Sequence, residues 1–251
     1  MITALPYLTP IQWSIAACAA LCIGLTKSGF AGFGLLIVSL MAMILPAKES
    51  TGAVLPLLIV ADLMAVSGFR HHVDWREIRA LLPATLPGLI AGWWLLDLIP
   101  GRIFGHVLGW MILAMMALIV WQRVDRRVLA TVMSHPALAS FSGFLAGLST
   151  MLANAGGPAM TFHLLARRFD KMAFVGTCGW FFFITNLIKI PFSISLGLIS
   201  PSSLLLDFCL IPAVAAGFLL GKAVLGRIPQ GPFDLMLLIM SLAASLKLVL
   251  S

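Results

Sequence analysis

Residues 24–34 read GLTKSGFAGFG, four glycines and a lysine in the middle of the first apolar stretch of the chain. From Ile11 to Leu45, about 35 residues, Lys27 is the one charged side chain. At ~1.5 Å per residue an unbroken helix of that length would measure about 52 Å, against a hydrocarbon core of about 30 Å. Glycine costs about 1 kcal/mol relative to alanine inside a helix, so a cluster of glycines predicts a break. The stretch therefore reads as a broken helix, which either crosses a bilayer or turns back within it as a re-entrant hairpin.

Composition requires the bilayer. The chain has 251 residues, 61% hydrophobic and 10% charged, with a mean hydropathy of +1.08. A soluble domain is about half apolar and about a quarter charged. Leu35–Leu45, Val54–Phe69, Phe104–Trp121 and Leu235–Leu250 are almost free of charge, and helices carry such runs through lipid with their backbone groups paired. The alternation expected of barrel strands is absent. The fold class is thus all-α and polytopic, with the lipid bilayer as its surroundings. In such a chain the net charge of +7 reads as basic residues flanking spans, not as a nucleic-acid surface. Cys18, Cys22, Cys178 and Cys209 lie in apolar stretches and read as buried structural thiols. No Cys or His spacing suggests a metal or other cofactor. The N-terminus lacks a basic n-region, and no cleaved signal peptide is expected.

The opening motif recurs. At an offset of 123, Gly24 falls on Gly147, Thr26 on Ser149, Gly34 on Gly157 and Lys48 on Lys171. One insertion then raises the offset to 129, which pairs Pro83 with Pro212, Gly88 and Gly92 with Gly217 and Gly221, and Phe104 with Phe233. This predicts a first membrane repeat over 1–125, a basic connecting loop over 126–135 and a second membrane repeat over 136–251. Each repeat has four apolar elements, about 11–45, 50–69, 78–98 and 103–122, then about 136–166, 172–194, 203–225 and 232–250. If every element crosses, lysine and arginine divide almost evenly between the two faces. If both leading elements are hairpins, eleven basic residues from Arg70 to Arg227 share one face, and Lys48, Arg102 and Lys247 remain opposite. The positive-inside rule favours the second arrangement. It leaves each repeat three crossings, an odd number, so the repeats are inverted, with both termini away from the cytoplasm.

Broken helices in inverted repeats are a recurring plan of secondary transporters, whose site lies near mid-membrane. Helix ends at a break offer unpaired N–H groups and a partial positive charge. The first break adds Thr26, Lys27 and Ser28 beside Gly32 and Gly34. The second adds Ser149, Thr150 and Asn154 beside Gly156, Gly157 and Pro158. These are donors suited to an anion. Small residues equally allow close helix packing, and hydroxyls can bond back to their own helix. Lys27 is the stronger signal, because an intramembrane cation costs roughly 2.5–3.5 kcal/mol. Its other readings are snorkelling to an interface and pairing with Asp62, which serves either proton coupling or neutralisation. Asn186 and Thr185 are the repeat counterparts of Asp62. Lys189 is a second candidate anion contact unless it sits at the membrane surface. His163 reads as interfacial, and His71-His72 beside Asp74 as a solvated loop. Gly88-x-x-x-Gly92 and Gly217-x-x-x-Gly221 mark close helix contacts, within a protomer or across a homodimer.

The glycine-rich break, its recurrence in GLSTMLANAGGPAM, and the following DKMAFVGTCGWFFFITNLIK resemble the sulfite exporter TauE/SafE family over nearly the whole chain. The resemblance implies transport of sulfite or an organosulfonate across the bacterial inner membrane, and places the two glycine-rich segments at Gly29–Gly34 and Asn154–Pro158. SGFAGFG departs from the family's commoner run of adjacent glycines. A carboxylate transporter is the alternative, as is a non-transport intramembrane enzyme. The enzyme reading has no H-E-x-x-H and no acid–base–nucleophile cluster to support it.

Overall fold

In this computed structural model the described residues are 8–30, 37, 40–41, 43–45, 47–98, 106, 110, 113, 117 and 136–250. Gly32, Gly34, most of the fourth element and the basic connecting loop lie outside them. Among the described residues there are helices and no strands. The helices are α1 (Pro10–Lys27), α2 (Ala47–Ala53), α3 (Leu55–Phe69), α4 (Trp75–Leu98), α5 (Pro136–Ala153), α6 (Gly157–Ala166), α7 (Lys171–Ser195), α8 (Pro201–Leu225) and α9 (Gln230–Leu250).

Local chemistry explains the boundaries. Thr9 and Gln12 cap α1 reciprocally with Pro10 in the first turn, and Ser200 with Ser203 does the same for α8 ahead of Pro201. Asp74 accepts from the amides of Arg76 and Glu77 at 2.8 and 3.3 Å, so α4 starts three residues before the expected 78. Asp170 accepts from Met172 and Ala173 and starts α7. The element expected as one piece over 50–69 is two helices. Pro56, in the first turn of α3, lacks an N–H and its ring crowds the carbonyl four residues back. The leading element stops at Lys27: Gly29 follows with φ +117°, a conformation open to glycine and strained for other residues. The second leading element breaks at 154–156, where Asn154 takes φ +50°, which asparagine tolerates better than most residues.

The stretches Glu49–His72, Trp75–Leu96, Lys171–Ser195 and Pro201–Leu225 are long and apolar enough to cross a membrane. Their outer faces leave Leu63, Ile90, Trp94, Leu205, Phe208 and Leu219 uncovered, the surface a lipid-solvated protein presents. Cys18 and Cys209 also sit on exposed positions, which corrects the expectation of four buried thiols. The interior is built by exchange between the two parts of the sequence. Helix α1 packs on α8, α5 on α4, and α3 on α7. A Cβ on Gly24 would lie 2.1 Å from the Val214 carbonyl oxygen, and one on Gly217 would lie 2.1 Å from that of Leu21. A Cβ on Gly88 would meet the Phe144 carbonyl at 2.2 Å, and one on Gly147 that of Thr85 at 2.2 Å. Both crossings bring backbone onto backbone, which only glycine permits, and the glycine rows face helices of the same protomer. Helices α5 and α6 also pack against each other across the break between them.

Candidate functional site

Both breaks open on one cavity of about 60 Å³, several times the roughly 10–15 Å³ that one water needs by the same measure. Thr26, Lys27 and Gly29 line it from the first break, and Thr150, Asn154 and Gly157 from the second. Leu58 of α3 and Val175, Cys178, Gly179, Phe182 and Asn186 of α7 close its sides.

The charges are arranged around this space. Lys27 Nζ lies 2.7 Å from Asp62 Oδ1, with Asp62 fully buried. Asn186 Nδ2 donates to the other carboxylate oxygen at 2.6 Å. The ammonium also stands 4.6 Å from the centre of the Phe182 ring, a cation–π contact of about 0.5–2 kcal/mol. Of the readings of Lys27, pairing with Asp62 is the one this arrangement holds. A Cβ on Gly156 would press on the same Phe182 ring at 2.8 Å, so the glycine lets the ring reach the lysine.

Lys189 is buried within the protein at 1% exposure. Its Nζ donates to the Thr150 carbonyl at 2.7 Å and to Asn154 Oδ1. Asn154 Nδ2 in turn donates to the Thr51 carbonyl at 2.9 Å. One asparagine at the break thus ties α2, α5 and α7 together. Among the described residues no carboxylate pairs with Lys189. Lys27 thus has a carboxylate partner, and Lys189 has carbonyl and amide oxygens in its place.

Other residues singled out in the sequence sit elsewhere. Ser28 returns its hydroxyl to the Leu25 carbonyl, and Ser149 to those of Leu145 and Ala146. Both are fully buried, and neither is among the residues lining the cavity; these are helix-satisfied hydroxyls, the plainer of the two readings given above. Thr26 bonds back to the Ile23 carbonyl at 2.7 Å yet lines the cavity. Gly32 and Gly34 fall outside the described residues. At the first break the described chain offers the end of α1, where Lys27 occupies the last turn. At the second it offers the start of α6 at Gly157.

Three buried acids or bases lie outside the residues lining the cavity. His163 is fully buried within the protein, and its Nε2 lies 2.7 Å from Glu77 Oε2. Glu77 was hidden in the charged stretch after Arg70 and had no apolar context to flag it. Asp207 is 4% exposed on α8, and both its carboxylate oxygens lack a hydrogen-bond partner among the described residues. A lone acid within LLLDFCLIP was a signal available in the sequence. Among the described residues no group of His, Cys, Asp and Glu could hold a metal ion.

An all-helical shell with an apolar outer face, enclosing a small charged cavity where two helices break, defines a multi-pass membrane protein with an internal polar site. Residues 16–248 match the model of the sulfite exporter TauE/SafE family, and the chain belongs to that family. No curated protein and no solved structure matches it. Membership carries the function class of the family, transport of sulfite or a related anion.

Proposed function

We propose that this protein is a secondary transporter that moves sulfite or a small organosulfonate across the bacterial inner membrane by alternating access, in the direction of export. The observation that carries the proposal is the charge imbalance at the cavity. Lys27 lines the cavity with its ammonium on Asp62, and behind the lining residue Asn154 stands Lys189, a second basic group with no carboxylate partner among the described residues. A buried charge without a counterion costs several kcal/mol, so a guest anion completes the site.

The geometry suggests how it would bind. Lys27 carries three donors and commits one to Asp62. An arriving oxyanion competes for Lys27, and Asn186 keeps hold of the second Asp62 oxygen while it does so. The Asn154 side chain and the start of α6 lie across the cavity from Lys27, and they supply polar groups for the remaining oxygens. Asp62 acts here as the counterion of the empty site.

The reciprocal crossings of Gly24 on α8 and Gly147 on α4 support two related halves, since the offsets of 123 and 129 place those four helices in equivalent positions. The contact of α5 with α6 across their break supports a re-entrant hairpin. Inverted halves meeting at such hairpins give two arrangements of one site, open to either side in turn.

A binding screen of the purified protein against sulfite, sulfate, taurine, sulfoacetate and small carboxylates tests the substrate class. Sulfite or a sulfonate should raise the unfolding temperature, with a stabilisation that grows as the logarithm of its concentration over Kd. Carboxylate binding without any sulfur anion would replace the substrate proposed here and leave the cavity argument standing.

A further inference from the structure

Outside the cavity, α6 and α4 are joined by a buried hydrogen-bonded pair, His163 and Glu77. Imidazole Nε2 of His163 lies 2.7 Å from Glu77 Oε2, with the two side chains 0% and 8% exposed. Arg167 approaches the second carboxylate oxygen at 3.4 Å and is 30% exposed, so the cluster reaches the surface on that side. With Nε2–H donating to Glu77, Nδ1 is a bare acceptor, and it has no partner among the described residues. An unpaired buried polar atom costs about 1–3 kcal/mol, and in a native fold it needs a reason.

We propose that Glu77 and His163 form a proton-binding site that couples anion movement to a proton. Nδ1 takes one proton from water on one face, which converts imidazole–carboxylate into imidazolium–carboxylate, and later returns it to water on the other face. No other bond is made or broken. This rests on the transporter reading above and adds its coupling site.

Position supports the assignment. Helix α6 begins at Gly157, which lines the cavity, and carries His163 six residues on, about 9 Å along the axis. Glu77 belongs to α4, which packs on α5 and α7. Any shift of α6 against α4 must break or keep the pair. An imidazolium holds the carboxylate more strongly than a neutral ring does, and imidazole is the side chain that changes charge between about pH 5 and 8. The proton thus sets how tightly α6 is held.

Neighbouring charges are occupied elsewhere or act on Glu77 alone. Arg76 and Arg167 act on Glu77, and Asp74 caps its helix. Helix α5 has no charged residue. Lys171 of α7 is bound to the Leu225 and Ile228 carbonyls, and Asp234 of α9 accepts from Gln230.

The test uses the full chain in proteoliposomes with a trapped pH dye and sulfite as the probe. Wild-type sulfite flux should move protons beyond those that bisulfite itself carries, counted per labelled sulfite and measured against protein-free vesicles. His163→Gln and Glu77→Gln should lose that movement while equal-pH exchange of labelled sulfite persists. Wild-type proton movement in either variant overturns the proposal. As a second measurement, nitrogen NMR follows a chain in which His71, His72, His106 and His135 are replaced by Gln. The remaining imidazole should be found in both its neutral and its charged form across the pH values at which the wild type moves protons, and a ring that keeps one form throughout overturns the proposal. If the wild type moves no sulfite at any pH, the transporter reading fails, and the imidazole titration decides the proton site by itself.

Discussion

Removing either member of the Lys27–Asp62 pair should have unequal consequences, because the two partners are buried unequally. Asp62 is 0% exposed and Lys27 is 11% exposed with Phe182 beneath its ammonium. Lys27→Gln removes the counterion of a carboxylate in the interior and leaves it neutral amide donors in its place. Breaking a buried pair this way costs about 3–5 kcal/mol. At about 2–4 °C per kcal/mol for a chain of this size, the unfolding temperature should fall by roughly 6–20 °C. Asp62→Asn is milder, since the new side chain can still accept from Asn186, and the ammonium keeps its ring contact and its partial exposure. Lys27→Gln with Asp62→Asn places a neutral hydrogen-bonding pair in the same space and should recover most of the loss. Anion binding should follow a different order. In Asp62→Asn the guest no longer competes with a carboxylate for Lys27. A hydrogen bond to a charged group is worth about 1.5–3 kcal/mol, so affinity for sulfite should rise about 10- to 100-fold. Thermal unfolding in detergent with graded sulfite reads both quantities. The reasoning is refuted if Lys27→Gln shows the wild-type sulfite-induced shift, or if Asp62→Asn binds sulfite more weakly than the wild type.

Gly24→Ala and Gly88→Ala should each lower the unfolding temperature. Their new methyl groups would lie 2.1 and 2.2 Å from carbonyl oxygens, and overpacking of about 1–3 kcal/mol outweighs a helix-propensity gain of about 1 kcal/mol. Gly231→Ala, with nothing within 4 Å of the added carbon, should be neutral or stabilising; equal effects at all three sites would dismiss the close crossings. Asp207→Asn should leave stability unchanged or raise it, because it removes a buried carboxylate that has no partner among the described residues. A clear loss of stability would mean that Asp207 holds a partner.

The chain of residues by itself determined the environment and the places where the helices must break. Apolar runs too long for a membrane, interrupted by Gly29 in one case and by Asn154, Gly156 and Gly157 in the other, permit little else. Pattern also exposed Lys27, because a cation in lipid is costly whatever surrounds it. Tertiary structure decided which polar groups face one another. Lys27 meets Asp62 and Asn186 from two other helices, and Lys189 meets Asn154 across the second break. Ser28 and Ser149 carry the same donors as Thr26 and Thr150, yet they turn away from the cavity, because helical phase and not composition sets direction. Glu77 and His163 are 86 residues apart, and nothing local in either segment announces the other. A contact at that separation comes only from the tertiary arrangement of the helices that carry the two side chains, which a one-dimensional pattern does not encode.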